Sequence, residues 1–221
     1  MRRGREPALS RTGGEPRAER IEIAATVLLA LATVATAWSG YQASRWNSEG
    51  AKAFSRGNAA RVESTRASSL ANSQTQIDVA TFVQWVDAYA LERERLADFY
   101  FARFREEFRP AVEAWIATRP LQNPDAPLTP FAMPEYQLAA RAEAEELEAD
   151  AEALAARART NLQRATNYVL GVVLFASALF FAGMSTKLRA QRLRLVLLGL
   201  GVTVFAATLV WIATSPISIS V

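Results

Sequence analysis

From Ile21 to Ala71 an apolar span runs straight into a polar segment of small residues, with no helix breaker stronger than single glycines. A helix that continuous obliges the rest of the chain to pack on it or hang from it. Along it Ala32, Thr36, Ser39, Ala43, Trp46, Gly50, Ala53, Gly57, Ala60, Ser64, Ala67 and Ala71 alternate three- and four-residue spacings, so they share one seam. All but Trp46 are small. Arg45, Glu49, Lys52, Arg56, Arg61, Glu63 and Arg66 lie off the seam, as a face that meets another backbone closely requires. The region is rich in Ala, Gly, Ser and Thr, so composition alone produces part of this alternation. A second seam repeats it independently: Ala140, Ala144, Leu147, Ala151, Leu154, Ala158, Asn161 and Ala165 lead into the next apolar run.

The 221 residues fit one or two small domains, and the hydrophobic 51% is clustered into runs rather than spread. There is no cysteine, hence no disulfide framework, thiolate nucleophile or cysteine metal site. There is no histidine either, which removes the usual near-neutral general base and a common metal ligand. Carboxylate, lysine, serine or tyrosine chemistry remains, and no catalytic, metal or cofactor motif is visible. The chain therefore reads as a non-enzyme with no cofactor.

Residues 1–20 hold six arginines against three glutamates, lack hydrophobic periodicity, and read as a disordered basic tail. The first apolar run, 21–41, reaches the ~20 residues a bilayer crossing needs. Ala35-Thr36-Ala37 is an A-x-A site after a basic start, so a cleaved signal peptide is the rival of an uncleaved anchor. The long tail with Glu15 and Glu19, and the interfacial aromatics Trp38, Tyr41 and Trp46, weigh toward the anchor. Two further runs, 168–184 and 195–217, are free of charge and read as transmembrane. The linker 185–194 carries Lys187, Arg189, Arg192 and Arg194 without an acid. The positive-inside rule makes it cytoplasmic, and three spans put the basic N-terminal tail on the same side. Residues 42–167 are then extracytoplasmic. The segment 39–167 has 15 basic and 18 acidic residues, so the net charge of +3 belongs to the cytoplasmic flanks and not to a nucleic-acid surface.

The expected fold is an all-α integral membrane protein: three transmembrane helices, a long helical hairpin as a coiled-coil-like stalk, and a small helical head. Ser39–Ala71 and Glu135–Asn167 match in length, and as helices each rises roughly 50 Å. The outgoing arm is 42–71, the return arm 135–167, and 218–221 a short tail. The head, 72–134, switches to aromatics. Ile77, Phe82, Trp85, Val86 and Tyr89 fit one helical face, and Leu96, Tyr100, Phe104 and Phe108 another. Leu91–Arg95 between them suits either helix or turn. Pro110 opens a third short helix with Val112, Trp115 and Ile116, and prolines 120, 124, 127, 130 and 134 enforce an extended crossover to Glu135. In register, Leu147 and Leu154 are expected over Gly57 and over Gly50 or Ala60. Gly199, Thr203 and Ala207 offer the third span a small packing face.

If the head binds a partner, the candidates are Arg103, Arg105, Arg109 and Trp115. The arginines, with Glu106 and Glu107 between them, suit an anionic partner or, more simply, solvated pairing within a helix. The aromatics suit a docking surface or, more simply, a core. The acids Glu143, Glu145, Glu146, Glu148, Asp150 and Glu152 read as an exposed face, because no calcium-loop turn accompanies them.

The strings YQASRW, IDVATFVQW, FARFREEFRPAVEAW and NPDAPLTPFAMPEY resemble a bacterial family of three-span membrane proteins of unknown function that carry a helical extracytoplasmic insertion. The resemblance covers about residues 25 to 185. It implies a bacterial membrane protein, and it favours a turn at LERER, where some family members carry Gly-Asp. It brings no activity and no functional residues. Two functions stand: a membrane-anchored interaction or structural protein, as a homo-oligomer or with a partner membrane protein, and an accessory subunit of a transport or channel complex. Against the second, neither later span carries an ionisable residue, and Glu22 lies at the edge of the first.

The orientation predicts that a cysteine placed at Asp125 reacts with an impermeant thiol reagent in intact cells and one at Gln191 does not. The reverse labelling would invert every statement about compartment.

Overall fold

A computed structural model describes residues 15–218. They form α1 (Glu15–Ala90), α2 (Glu94–Phe101), α3 (Arg109–Ala117), a 3-10 turn (Pro130–Ala132), α4 (Ala139–Lys187) and α5 (Gln191–Ala213), with no strand among the described residues. The tail expected over residues 1–20 lies outside the described residues up to 14. Residues 15–20, expected to be unstructured, are instead the first turns of α1. Glu, Arg and Ala are good helix formers, and a proline is tolerated in a first turn where its missing N–H has no partner anyway. Residues 219–221 also lie outside the description. The chain divides into two compact units, one made of residues up to Lys52 and from Arg157, the other of Ala53–Ala156.

In the first unit, three helices are long and apolar enough to cross a membrane. Their inward faces form two clusters. One joins Ile21, Ala25 and Leu28 to Ala182 and Leu198. The other joins Ala43 and Trp46 to Ala165, Tyr168, Phe175 and Ile212. The outward faces stay apolar: Val34, Val196 and Val210 are each about two-thirds exposed. Small residues allow the closest approaches. A Cβ on Gly50 would lie 3.1 Å from Leu162, and one on Gly201 would lie 3.3 Å from the Ala178 carbonyl oxygen. The expected face of Gly199, Thr203 and Ala207 is exposed instead, and α5 packs through Leu198, Gly201, Thr208 and Ile212. Large side chains meeting one glycine bury more area than a stripe of small ones, and that decides the rotation of the helix. The linker is shorter than the expected 185–194, since only residues 188–190 separate α4 from α5.

Beyond α5 the chain is clamped. The buried Gln42 amide accepts the Ser218 N–H at 3.0 Å and donates to the Ser218 carbonyl at 3.4 Å, as a strand neighbour would. Trp46 Nε1 and the Tyr168 hydroxyl each donate to the Pro216 carbonyl at 3.1 Å. That bond, and the Arg164 guanidinium 4.5 Å above its ring, account for the one large residue on the first seam.

In the second unit, α1 and α4 meet through the two seams. A Cβ on Gly57 would lie 3.3 Å from both the Ala151 carbonyl oxygen and Leu154 Cβ, and Ser64 Oγ donates to the Ala144 carbonyl at 2.9 Å. Ala71 packs on Leu138 and Ala140. As one number rises the other falls, so the two segments are antiparallel. Every seam residue of this unit is buried or half-buried, while Arg56, Arg61, Glu63 and Arg66 are exposed. The register differs from expectation. Leu154, not Leu147, stands over Gly57, and in the first unit Leu162, not Leu154, faces Gly50. The cause lies at the start of α4: it begins at Ala139 rather than Glu135, because Tyr136 and Leu138 are drawn into clusters of their own.

The second unit has a single aromatic core of Phe82, Trp85, Phe104, Phe108 and Trp115 with Phe131 and Tyr136 packed against it. α1 carries its side of this core across residue 72 without a break. Ile77, expected on the buried face, is exposed, and Asp78 is buried in its place. The Leu91–Arg95 stretch does turn. The Arg93 N–H bonds to Ala88 O at 2.9 Å and the Glu92 N–H to Tyr89 O at 3.2 Å, with Glu92 left-handed at φ 56°. This is the helix-ending arrangement that glycine usually fills. α2 stops at Phe101, so Phe104 and Phe108 lie in a turning loop and not on the long helix their spacing suggests. α3 starts beside Pro110 as expected. The proline-rich crossover contains turns and a 3-10 segment rather than a wholly extended run.

Gly57→Leu is predicted to lower thermal stability in detergent by about 1–3 kcal/mol of overpacking, against a helix-propensity gain of somewhat under 1 kcal/mol. Arg56→Leu, one residue off the seam, should stay within about 0.5 kcal/mol. Equal or higher stability for Gly57→Leu would show that the contact is not tight.

Candidate functional site

Burying a carboxylate is expensive unless its charge is answered, and Asp78 has no exposed surface. It sits on α1 seven residues beyond Ala71 and seven before Trp85, at the point where the seam passes from small residues to rings. Its Oδ2 accepts from Arg105 Nη1 at 3.0 Å and from the Tyr136 hydroxyl at 3.1 Å. The same hydroxyl lies 3.2 Å from Thr75 Oγ1. Arg105 Nη2 donates to the Glu107 carboxylate. The other Glu107 oxygen accepts the N–H of Ala139 at 3.3 Å, where an anion also suits the N-terminal end of α4. One connected polar chain thus runs from α1 through the loop after α2 to the start of α4.

The loop reaches Asp78 because its own rings are anchored. Phe104 and Phe108 are buried on either side of Arg105, with centroids 5.1 Å apart, which leaves the guanidinium directed at the carboxylate. Burial is the largest influence on Asp78 and raises its pKa above the ordinary 3.8. The Arg105 charge and the hydrogen bonds from Tyr136 and Arg105 act in the opposite direction. Burial first, with the Asp78 carboxylate adding to it, also holds the Tyr136 phenol above its usual range. Asp78 Oδ1 and, one turn earlier, Gln74 Oε1 are buried without a hydrogen-bond partner among the described residues. What this arrangement can do chemically is take up a proton.

The four residues anticipated as partner-binding do not converge. Arg105 reaches the buried carboxylate. Arg103 lies over the Phe99 ring at 3.5 Å and donates to the Phe99 carbonyl at 3.0 Å. Arg109 Nη2 points to the Phe104 carbonyl at 3.5 Å. Trp115 is a core residue, 5.4 Å from Phe82 between centroids, with Nε1 donating to the Pro127 carbonyl at 2.6 Å. The pairing expected within a helix is replaced by a pair in a loop, Arg105 with Glu107, because α2 ends before either residue. In the acid run of α4, Glu148 lies 3.6 Å from Arg61, and no metal-holding group of three or more acids occurs among the described residues. Asp78 itself was legible in one respect: continuing the seam from Ala71 by one heptad lands on it.

No protein-family model, curated protein or solved structure matches this chain.

Because the folded-state pKa of Asp78 is raised, its contribution to stability is full below about 3.8 and is lost as pH rises through the folded value. Wild type should therefore gain stability relative to Asp78→Asn as the pH falls from neutral toward about 3.8. Melting both proteins across that window cancels the other titrating groups, and a difference that stays constant would remove Asp78 as the proton acceptor.

Proposed function

We propose that this chain is a membrane-anchored, non-enzymatic interaction protein of the bacterial inner membrane and a member of the three-span family that its sequence strings resemble. In this reading the N-terminus and the α4–α5 linker are cytoplasmic. α1 and α4 leave the bilayer as the paired arms of a hairpin and carry the aromatic core outside the cytoplasm as a head for a partner. The observation that carries the reading is continuity: α1 and α4 each pass uninterrupted from an apolar span into a segment with a small-residue buried face and charged exposed residues. Large apolar residues exposed on all three spans call for hydrocarbon around them. The polar chain at Asp78 supports it too, since it ties the loop after α2 to both α1 and α4 and gives a partner a preorganised surface.

One observation favours an accessory subunit of a transport or channel complex. Leu31, Val34, Phe175, Phe205 and Leu209 line an apolar groove of about 370 Å³ among the spans, of a kind that a helix of another membrane protein would enter.

Purification in mild detergent at native expression, followed by mass spectrometry of what co-purifies, separates the two. The interaction reading expects copies of the chain alone or a non-transporting partner. A permease or channel recovered at fixed stoichiometry would replace it with the accessory-subunit reading.

A further inference from the structure

Among the described residues, two hold a left-handed backbone without being glycine: Glu92 at φ 56° and Arg119 at φ 55°. Each follows the end of a helix, Glu92 after α1 and Arg119 after α3, where glycine would sit without steric cost. Each also lines one of two adjoining surface hollows of about 370 and 430 Å³. The hollows share Tyr89 and Leu121 as a common wall, and Leu121 is 64% exposed. Their charges are opposite. Glu92, Arg93 and Glu94 line the first, with one acid in excess, whereas Arg119 lines the second with no acid. None of these four side chains has an ion pair or hydrogen bond among the described residues.

We propose that this surface is a self-association site whose partner is a second copy of the chain. A two-fold axis through the common wall sets the acidic hollow of each copy against the basic hollow of the other, and brings the two Leu121 side chains together at the axis. The charge pattern selects this occupant: a partner of a single sign would suit one hollow and be repelled by its neighbour, while a second copy satisfies both, twice. Exposed leucine beside unpaired charges of both signs is the composition of an interface with an apolar centre and a polar rim. The proposal rests on the reading that the second unit is the part of the protein that meets partners.

The chain has no cysteine, so the full-length protein in its membrane gives a clean background for cross-linking. Under mild oxidation Leu121→Cys should yield a disulfide-linked dimer, because only a residue on the axis comes within disulfide reach of its own copy. Arg66→Cys, exposed on α1, should yield none. Adding Arg119→Glu to Leu121→Cys sets acid against acid and should cut the yield about tenfold. Adding Glu92→Arg to that variant turns the first hollow's excess from one acid to one base, which exchanges the signs, and should restore it. Both left-handed positions keep a non-glycine residue throughout, so the backbone cost is unchanged. The proposal is overturned by an absence of linked dimer in Leu121→Cys, or by a yield indifferent to Arg119→Glu. It is equally overturned by a charge-exchanged variant of intact helical content that stays unlinked. Any of these results, with position 125 still labelled from outside the cell, removes self-association alone; loss of that labelling would instead remove the displayed-head reading.

Discussion

A carbonyl oxygen 3.3 Å from where Gly57 would carry a Cβ leaves little space for a side chain, and the second unit is arranged around that approach. Helices this close are held by many short backbone contacts and little buried area, so Gly57, Ser64 and Ala71 cannot by themselves keep two helices together. What they provide is direction: only small residues fit, so only one face of α1 can meet α4. The grip comes from beyond the seam, where the rings of Phe82, Trp85, Phe104 and Phe108 bury the large area that the small residues do not.

Asp78 stands at the junction of these two kinds of packing. A buried ion pair is weak evidence for net stability, because desolvating two charges offsets most of their attraction. Its usefulness here is geometric. Arg105 can answer Asp78 only if the loop between Phe101 and Arg109 takes one path, and Glu107 can cap Ala139 only if α4 starts where it does. The Phe108 and Phe131 rings, stacked at 5.0 Å, and the Phe108–Tyr136 contact at 5.6 Å reinforce the same path from the apolar side.

The all-helical class, the three apolar helices and the two small-residue seams were legible in the sequence, because each rests on a periodicity sustained over many turns. Elements fixed by a few residues were not. Leu96, Tyr100, Phe104 and Phe108 keep helical spacing, yet the helix stops at Phe101, since closing the ring cluster around Trp115 needs the chain to turn there. Gly199, Thr203 and Ala207 looked like a packing face, but spacing cannot tell which side of a uniformly apolar helix turns inward. The burial of Asp78 is hidden in the sequence because an acid among aromatics reads as a surface residue until its guanidinium partner, 27 positions away, is brought to it.

The clamp on residues 216–218 bears on the order in which the protein is made. Gln42 is synthesised early, but the backbone it holds lies 176 residues later, and Trp46 waits 170 residues for the Pro216 carbonyl. Between them Ala53–Ala156 emerges in full and finds its core among its own residues. A ribosome therefore delivers the middle of this protein in a state able to fold before the first helix has its last partner. Until residues 216–218 have been synthesised, the Gln42 amide and the Trp46 indole must find their hydrogen bonds elsewhere.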